Sequence, residues 1–129
     1  MKNLVGFLVA LIFVSGCATV KKEVSTKQED RLMPVVQEAE KGDAKAQFLL
    51  GLMYRAGHGV PQDDSKAIQW LQKSAEQGYD EAQLYLGMVY ITHDEKKACA
   101  LIRASAEQGN KDAIKVYHQH YGGTCQGWK

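Results

Sequence analysis

From about residue 31 to residue 121 apolar positions recur at helical spacing, and glycine or proline interrupts them at intervals. In the stretch AQFLLGLMY, Ala46, Leu50, Gly51 and Tyr54 follow i, i+4, i+5, i+8; in SKAIQWLQKSAEQG, Ala67, Trp70, Leu71 and Ala75 follow i, i+3, i+4, i+8. Such positions share one face of an α-helix, so each stretch has a single side to bury. The pattern predicts helices near 31–41, 44–56, 65–77, 81–91, 95–108 and 111–120. Asp63, Asp64 or Ser65 would accept the free amides that open one helix and Asp80 those that open the next. Gly42, Gly78 and Gly109 stand where a left-handed residue ends a helix. The segment GHGVPQD, residues 57–63, has two glycines and a proline and reads as a loop.

The pattern is duplicated. Ala46, Gly51 and Tyr54 return as Ala82, Gly87 and Tyr90, displaced by 36, whereas SKAIQWLQKSAEQG (65–78) returns as KKACALIRASAEQG (96–109), displaced by 31. The second copy therefore lacks five residues between its two halves. VVQEAEKG (35–42) matches the end of such a unit and DAIKVYHQHY (112–121) the start of another. Repeats of this length mean a solenoid, in which each unit buries its apolar face against the next. Gly51 and Gly87 are expected where a neighbouring helix approaches closely, with Ala75 and Ala106 at the same contact from the other side. Tyr54, Trp70, Tyr90 and Tyr121 read as core or inter-repeat aromatics, and the Glu and Gln of the recurring SAEQG as water-facing.

AQFLLGLMY, GHGVPQD and SKAIQWLQKSAEQG together resemble the Sel-1-like repeat, a relative of the tetratricopeptide repeat with a longer, glycine-containing turn. The resemblance covers residues 31–121: a partial repeat 31–42, a full repeat 43–78, a shortened repeat 79–109 and a terminal helix 110–121, with a tail over 122–129. In the shortened copy ITHDEKK replaces the glycine-valine-proline turn, so its helices should pair more tightly. The resemblance implies an all-α fold, a short right-handed α-solenoid of antiparallel helix pairs, and a non-enzymatic adaptor or scaffold that binds other proteins. In tetratricopeptide geometry the first helix of each pair lines a concave face. Carried over, its positions are Lys45, Phe48, Leu52 and Arg55, then Glu81, Tyr85, Met88 and Ile91, with Lys115 and Gln119 from the terminal helix. Phe48, Leu52, Tyr85 and Met88 would form an apolar stripe flanked by Lys45, Arg55, Glu81 and Lys115, a plausible partner-binding surface. The alternative is that Leu32, Val35 and Val36 or residues 121–129 cover it.

The N-terminus has a different pattern. Lys2 precedes an apolar run of 11 residues, Leu4 to Val14, the layout of a secretory signal and too short to span a bilayer. The run ends in Val14-Ser15-Gly16-Cys17, which resembles the bacterial lipoprotein lipobox. That resemblance implies cleavage of residues 1–16 and acylation of Cys17, including a palmitate-type chain; several chains give stable anchoring. Ala18 follows the cysteine where an aspartate tends to retain lipoproteins in the inner membrane, so the expected place is the outer membrane, facing the periplasm. Residues 17–30 form the lipidated tether, and its polar stretch from Ala18 to Asp30 would reach roughly 40 Å when extended.

With Cys17 lipidated, Cys99 and Cys125 remain as a pair in an oxidising compartment, and a disulfide is the natural reading. Two free thiols or a metal site with His118 and His120 compete with it, but an HxH pair on a helix points in two directions.

Charge and chemistry change the picture little. With 16 basic and 15 acidic residues the chain has no field that would select nucleic acid. Glu76 and Glu107 occupy equivalent positions in successive copies, Ser74 and Ser105 lack a nucleophile motif, and His58 lies in a loop. The expectation is no catalysis, no cofactor, no metal and a monomer whose partner is another envelope or secreted protein. Two alternatives come with the family. One is an immunity protein that neutralises a phospholipase-type toxin. The other is a β-lactam-binding or hydrolysing enzyme like some cysteine-rich relatives, whose cysteine pair within each repeat this chain lacks.

Overall fold

Solvent leaves few side chains untouched except along the seams between helices, where one large residue per helix alternates with alanines. The computed structural model describes residues 32–125 and consists there of six helices and no strand. They are α1 (32–40), α2 (Ala44–Ala56), α3 (Asp64–Glu76), α4 (Asp80–Tyr90), α5 (Glu95–Glu107) and α6 (Lys111–Tyr121). Residues 1–31, with the signal run, Cys17 and the tether, lie outside the described residues, as do 126–129. From α2 onward each helix packs on its successor, α2 with α3, α3 with α4, α4 with α5 and α5 with α6. Leu50, Leu71, Leu86 and Ile102 are fully buried, surrounded by Ala39, Ala67, Ala82, Ala98 and Ala113. Small residues let the helix axes approach, which is how a chain this short closes a core.

The close approach has a specific geometry. A Cβ added at Gly51 would lie 2.8 Å from Leu71 Cγ and 3.1 Å from Ala67 O; at Gly87, 2.6 Å from Ile102 Cγ1 and 3.2 Å from Ala98 O. The opposing surface is thus the backbone of Ala67 and Ala98 and the large residue one turn on, rather than Ala75 and Ala106. Ala75 lies further along the same helix, in the cluster of Leu71, Ala82 and Leu86.

Both turns inside the helix pairs close in the same manner despite their different lengths. Asp63 N donates to Tyr54 O at 2.9 Å, and Asp94 N donates to Tyr90 O at 2.8 Å. Asp63 Oδ1 then accepts from Lys66 N and Asp94 Oδ1 from Lys97 N, at 2.9 and 3.0 Å, capping α3 and α5. The missing five residues are therefore cut from the loop tip, where Gly57 and Gly59 have φ of 69° and 75°, and the frame around it is kept. α4 departs from expectation. Its N-cap is Tyr79 with no side-chain bond, and Asp80 is the first helical residue, where its carboxylate accepts instead from Asn110 Nδ2 at 2.8 Å.

The SAEQG copies fasten the two helices of each repeat together. Ser74 Oγ donates to Ala44 O at 2.6 Å and Ser105 Oγ to Asp80 O at 2.8 Å, both serines fully buried. Gln77 Nε2 donates to Gln47 Oε1 and Gln108 Nε2 to Gln83 Oε1, each at 2.7 Å. The buried Gln47 and Gln83 in turn donate to Ala39 O and Ala75 O, at the C-terminal ends of α1 and α3. Helix ends leave carbonyls without intrahelical partners, and these amides serve them. The motif's glutamines are exposed, as expected, and each also bonds to the first helix of its own pair. Gln83→Leu and Gln108→Ala are each expected to cost about 1 kcal/mol, and the double variant about 0.5–1 kcal/mol less than the sum. Urea unfolding of the four proteins measures this; strictly additive losses would show that the two amides do not support each other.

Candidate protein-binding face

The residues expected on the binding face lie on α2, α4 and α6, and their exposure divides them. Lys45, Arg55, Glu81, Met88, Lys115 and Gln119 are exposed, whereas Phe48, Leu52, Tyr85 and Ile91 are half-buried. Phe48 packs its ring 5.4 Å from Tyr79 and, edge-on, 6.2 Å from Tyr85. The Arg55 guanidinium lies 5.0 Å from the centre of the Tyr85 ring, and Arg55 Nη1 donates to Tyr85 Oη. Three expected contact residues therefore join α2 to α4. They stiffen the face and leave less of it free than their side chains suggest.

The repeat register explains part of this. The position displaced by 36 from Phe48 is Leu84, half-buried like Phe48; Tyr85 corresponds to Leu49. Leu49, which the sequence reading passed over, is 40% exposed and Met88 49%, the apolar residues of α2 and α4 that water reaches most. Matching the two copies position by position is the signal that finds Leu49. The tail residues 122–125 bond to α5 and α6. Gly122 N donates to His118 O, Gly123 N to Tyr117 O, and Cys125 is bonded to Cys99, with Cα atoms 6.0 Å apart.

A groove of about 300 Å³ adjoins this face where α2, α3 and α4 meet. Ile68, Leu71 and Val89 form its apolar part with Ala67, and Arg55 and Asp64 bring opposite charges. Its α3 and α4 residues were not among the expected contacts.

Nothing among the described residues assembles a reacting centre. The Ser74 and Ser105 hydroxyls are committed to carbonyls, and no group of three or more His, Cys, Asp or Glu could hold a metal ion. Glu76 accepts from Gln72 Nε2 at 3.0 Å and Glu107 Oε1 lies 3.6 Å from Arg103 Nε, both on the surface. His120 Nε2 lies 3.8 Å from Glu95 Oε1. Beside them the buried Tyr121 hydroxyl has no hydrogen-bond partner among the described residues, and burial, then the Glu95 carboxylate, raise its pKa above the ordinary phenol value.

Comparison with known proteins agrees with this repeat geometry. The family model described as Sel1 repeat matches residues 44–79 and 80–110. A solved Sel1 repeat protein from Oxalobacter formigenes superposes with a TM-score of 0.67 at 33% identity, covering 70% of this chain and 72% of that one. The protein c5321, a protective antigen present in uropathogenic Escherichia coli strains and displaying an SLR fold, gives 0.63 at 33% identity, over 70% of this chain and 21% of its own. An ERAD-associated E3 ubiquitin-protein ligase component, HRD3A of Arabidopsis thaliana, is 32% identical over 68 residues. The match takes in 51% of this chain and only 10% of the plant protein.

Proposed function

Because the chain belongs to the Sel1 repeat family, whose helical repeats form a protein-interaction module, we propose that it is a lipid-tethered binding protein of the bacterial envelope. In this reading Cys17 carries the lipid, the polar stretch to Asp30 spaces the domain from the outer membrane, and another envelope or secreted protein docks on the α2–α4 face. The observation that carries it is the exposed apolar pair Leu49 and Met88, beside Lys45 and Glu81, on helices that Phe48, Tyr85 and Arg55 tie together. A rigid face with apolar anchors and a charged rim loses little entropy when a partner docks.

One experiment tests both halves. The chain and its Cys17→Ser and Met88→Asp variants are expressed in a Gram-negative host, fractionated, and used for capture from solubilised envelope. Cys17→Ser is expected to leave the membrane fraction and lose palmitate labelling. Met88→Asp is expected to stay in the membrane and bind the captured protein at least about tenfold more weakly, as anchor residues do. Membrane retention without Cys17 defeats the tether; capture that Met88→Asp leaves intact, or no specific capture, defeats the binding face. A captured phospholipase effector would make the binding role one of immunity.

A further inference from the structure

The two copies of the repeat carry opposite charges at one position of the binding face. Lys45 of α2 and Glu81 of α4 are equivalent, displaced by 36, as are Leu49 and Tyr85, and Leu52 and Met88. Neither Lys45 nor Glu81 takes part in an ion pair among the described residues, and both are exposed. Each apolar pair is divided in the same way. Leu49 and Met88 are exposed, whereas their equivalents Tyr85 and Leu52 are half-buried. A face built like this is complementary to itself once the two repeats are exchanged.

The exchange is a two-fold rotation. α2 and α4 run in the same direction, since each is followed by one helix that returns along it. An axis in the plane of the face, parallel to both helices and midway between them, lays α2 of one copy on α4 of the other with directions and heights kept. Lys45 then meets the second copy's Glu81 and Glu81 the second copy's Lys45, while Leu49 covers Tyr85 and Met88 covers Leu52. Moving the axis onto α4 would pair Lys45 with Asp112, the equivalent of Glu81 in α6, but would press the two Glu81 carboxylates together. We propose that the protein docking on the α2–α4 face is a second copy of this chain, held in the first of these registers. This rests on the reading of that face as a protein-binding surface, and replaces the monomer expected from the sequence with a pair.

The size of the face says where the pair forms. Two helix faces about 20 Å long and about 10 Å apart offer roughly 400 Å² on each copy, half of what a stable complex buries on each side, so copies free in solution meet weakly. A lipid tether supplies what is missing, because it confines the copies to one membrane and raises their effective concentration. With the two-fold axis along the membrane normal, counterpart residues stand at one height, and both tethers can enter the same leaflet.

The test co-expresses two differently tagged copies of the full chain in a Gram-negative host and treats the membranes with a zero-length carbodiimide, which joins an ammonium to a carboxylate in direct contact. A dimer band is expected, linked through Lys45 and Glu81 when read by mass spectrometry. Lys45→Glu, or Glu81→Lys, present in both tagged copies should cut co-purification of the tags about tenfold or more, since like charges then meet twice in each pair. The double swap in one chain keeps the net charge and restores both opposite pairs, so it should associate like the parent, which also shows that the swapped residues leave the fold intact. No co-purification of the tags, or co-purification that Met88→Asp or the single swaps leave unchanged, overturns the pairing; a different envelope protein captured by the parent and weakened by Met88→Asp would still uphold the binding face. A double swap that fails to associate overturns the register and the proposal with it.

Discussion

Gly87→Ala is expected to lower the melting temperature by about 5–15 °C, opposite in sign to the usual effect of that substitution in a helix. At an exposed helical site, alanine for glycine stabilises by about 1 kcal/mol, because it removes backbone freedom from the unfolded chain. Here the new methyl would stand 2.6 Å from Ile102 Cγ1 and 3.2 Å from Ala98 O. Ile102 is fully buried, and Ala98 O belongs to the backbone of α5, so the two helices must part. Overpacking of this kind costs about 1–3 kcal/mol and outweighs the propensity gain. Gly51→Ala should behave alike, since its methyl would meet Leu71 Cγ at 2.8 Å and Ala67 O at 3.1 Å. Thermal unfolding followed by circular dichroism measures both. A rise in melting temperature for either variant would mean that the helices are not held at this separation.

The sequence made the helices legible because two independent signals agreed, the apolar spacing and the duplication. The expected 44–56 is α2 as observed, and the other expected boundaries lie within a residue or so of the observed ones. Glycine at 51 and 87 pointed to close helix contact, but which residues oppose it could not be read, since Ala67 and Ala75 are both small, share one face of α3 and differ only in the turn they occupy. Polar residues misled most. Gln47 and Gln83 look like solvated positions in a sequence, yet they are buried, donating to helix-end carbonyls and accepting from the exposed Gln77 and Gln108. The displacement that related the copies contained this information, because the same amides recur at the same places. For the binding face, the expected aromatic residues proved to have two roles: Phe48 and Tyr85 are large enough to reach the neighbouring helix, and they use that reach for packing. The groove was illegible because its lining comes from three helices and its apolar residues Ala67, Ile68, Leu71 and Val89 read as ordinary core.

Cys125→Ser, or reduction of the parent, is expected to destabilise the domain by about 3 kcal/mol, with the loss concentrated in α5 and α6. The bond closes a separation of 26 residues, worth about 3.5 kcal/mol of unfolded-chain entropy. Its position explains why the loss should be local. In a solenoid each repeat is supported by its neighbours, and the last helix has one on a single side. At α6 the register continues, but His118 stands where Gly51 and Gly87 stand in the earlier copies, and Ile114, 38% exposed, stands where Gln47 and Gln83 accept the amide from the second helix of their pair. A helix could not approach across His118 as closely as α3 and α5 approach Gly51 and Gly87, and the stretch from Gly122 to Cys125 is instead bonded back to α5 and α6. Without the bond, α6 keeps its packing on α5 and, among the described residues, the Asn110 contact with Asp80 at its start. Hydrogen exchange should therefore accelerate in α6 and the first turns of α5 while α2 and α3 stay protected, and the melting temperature should fall by about 10 °C or more. Two reactive thiols in the unreduced, denatured protein, beyond any from Cys17, would remove the premise; uniform acceleration across all helices would show that the bond steadies the whole domain rather than its end.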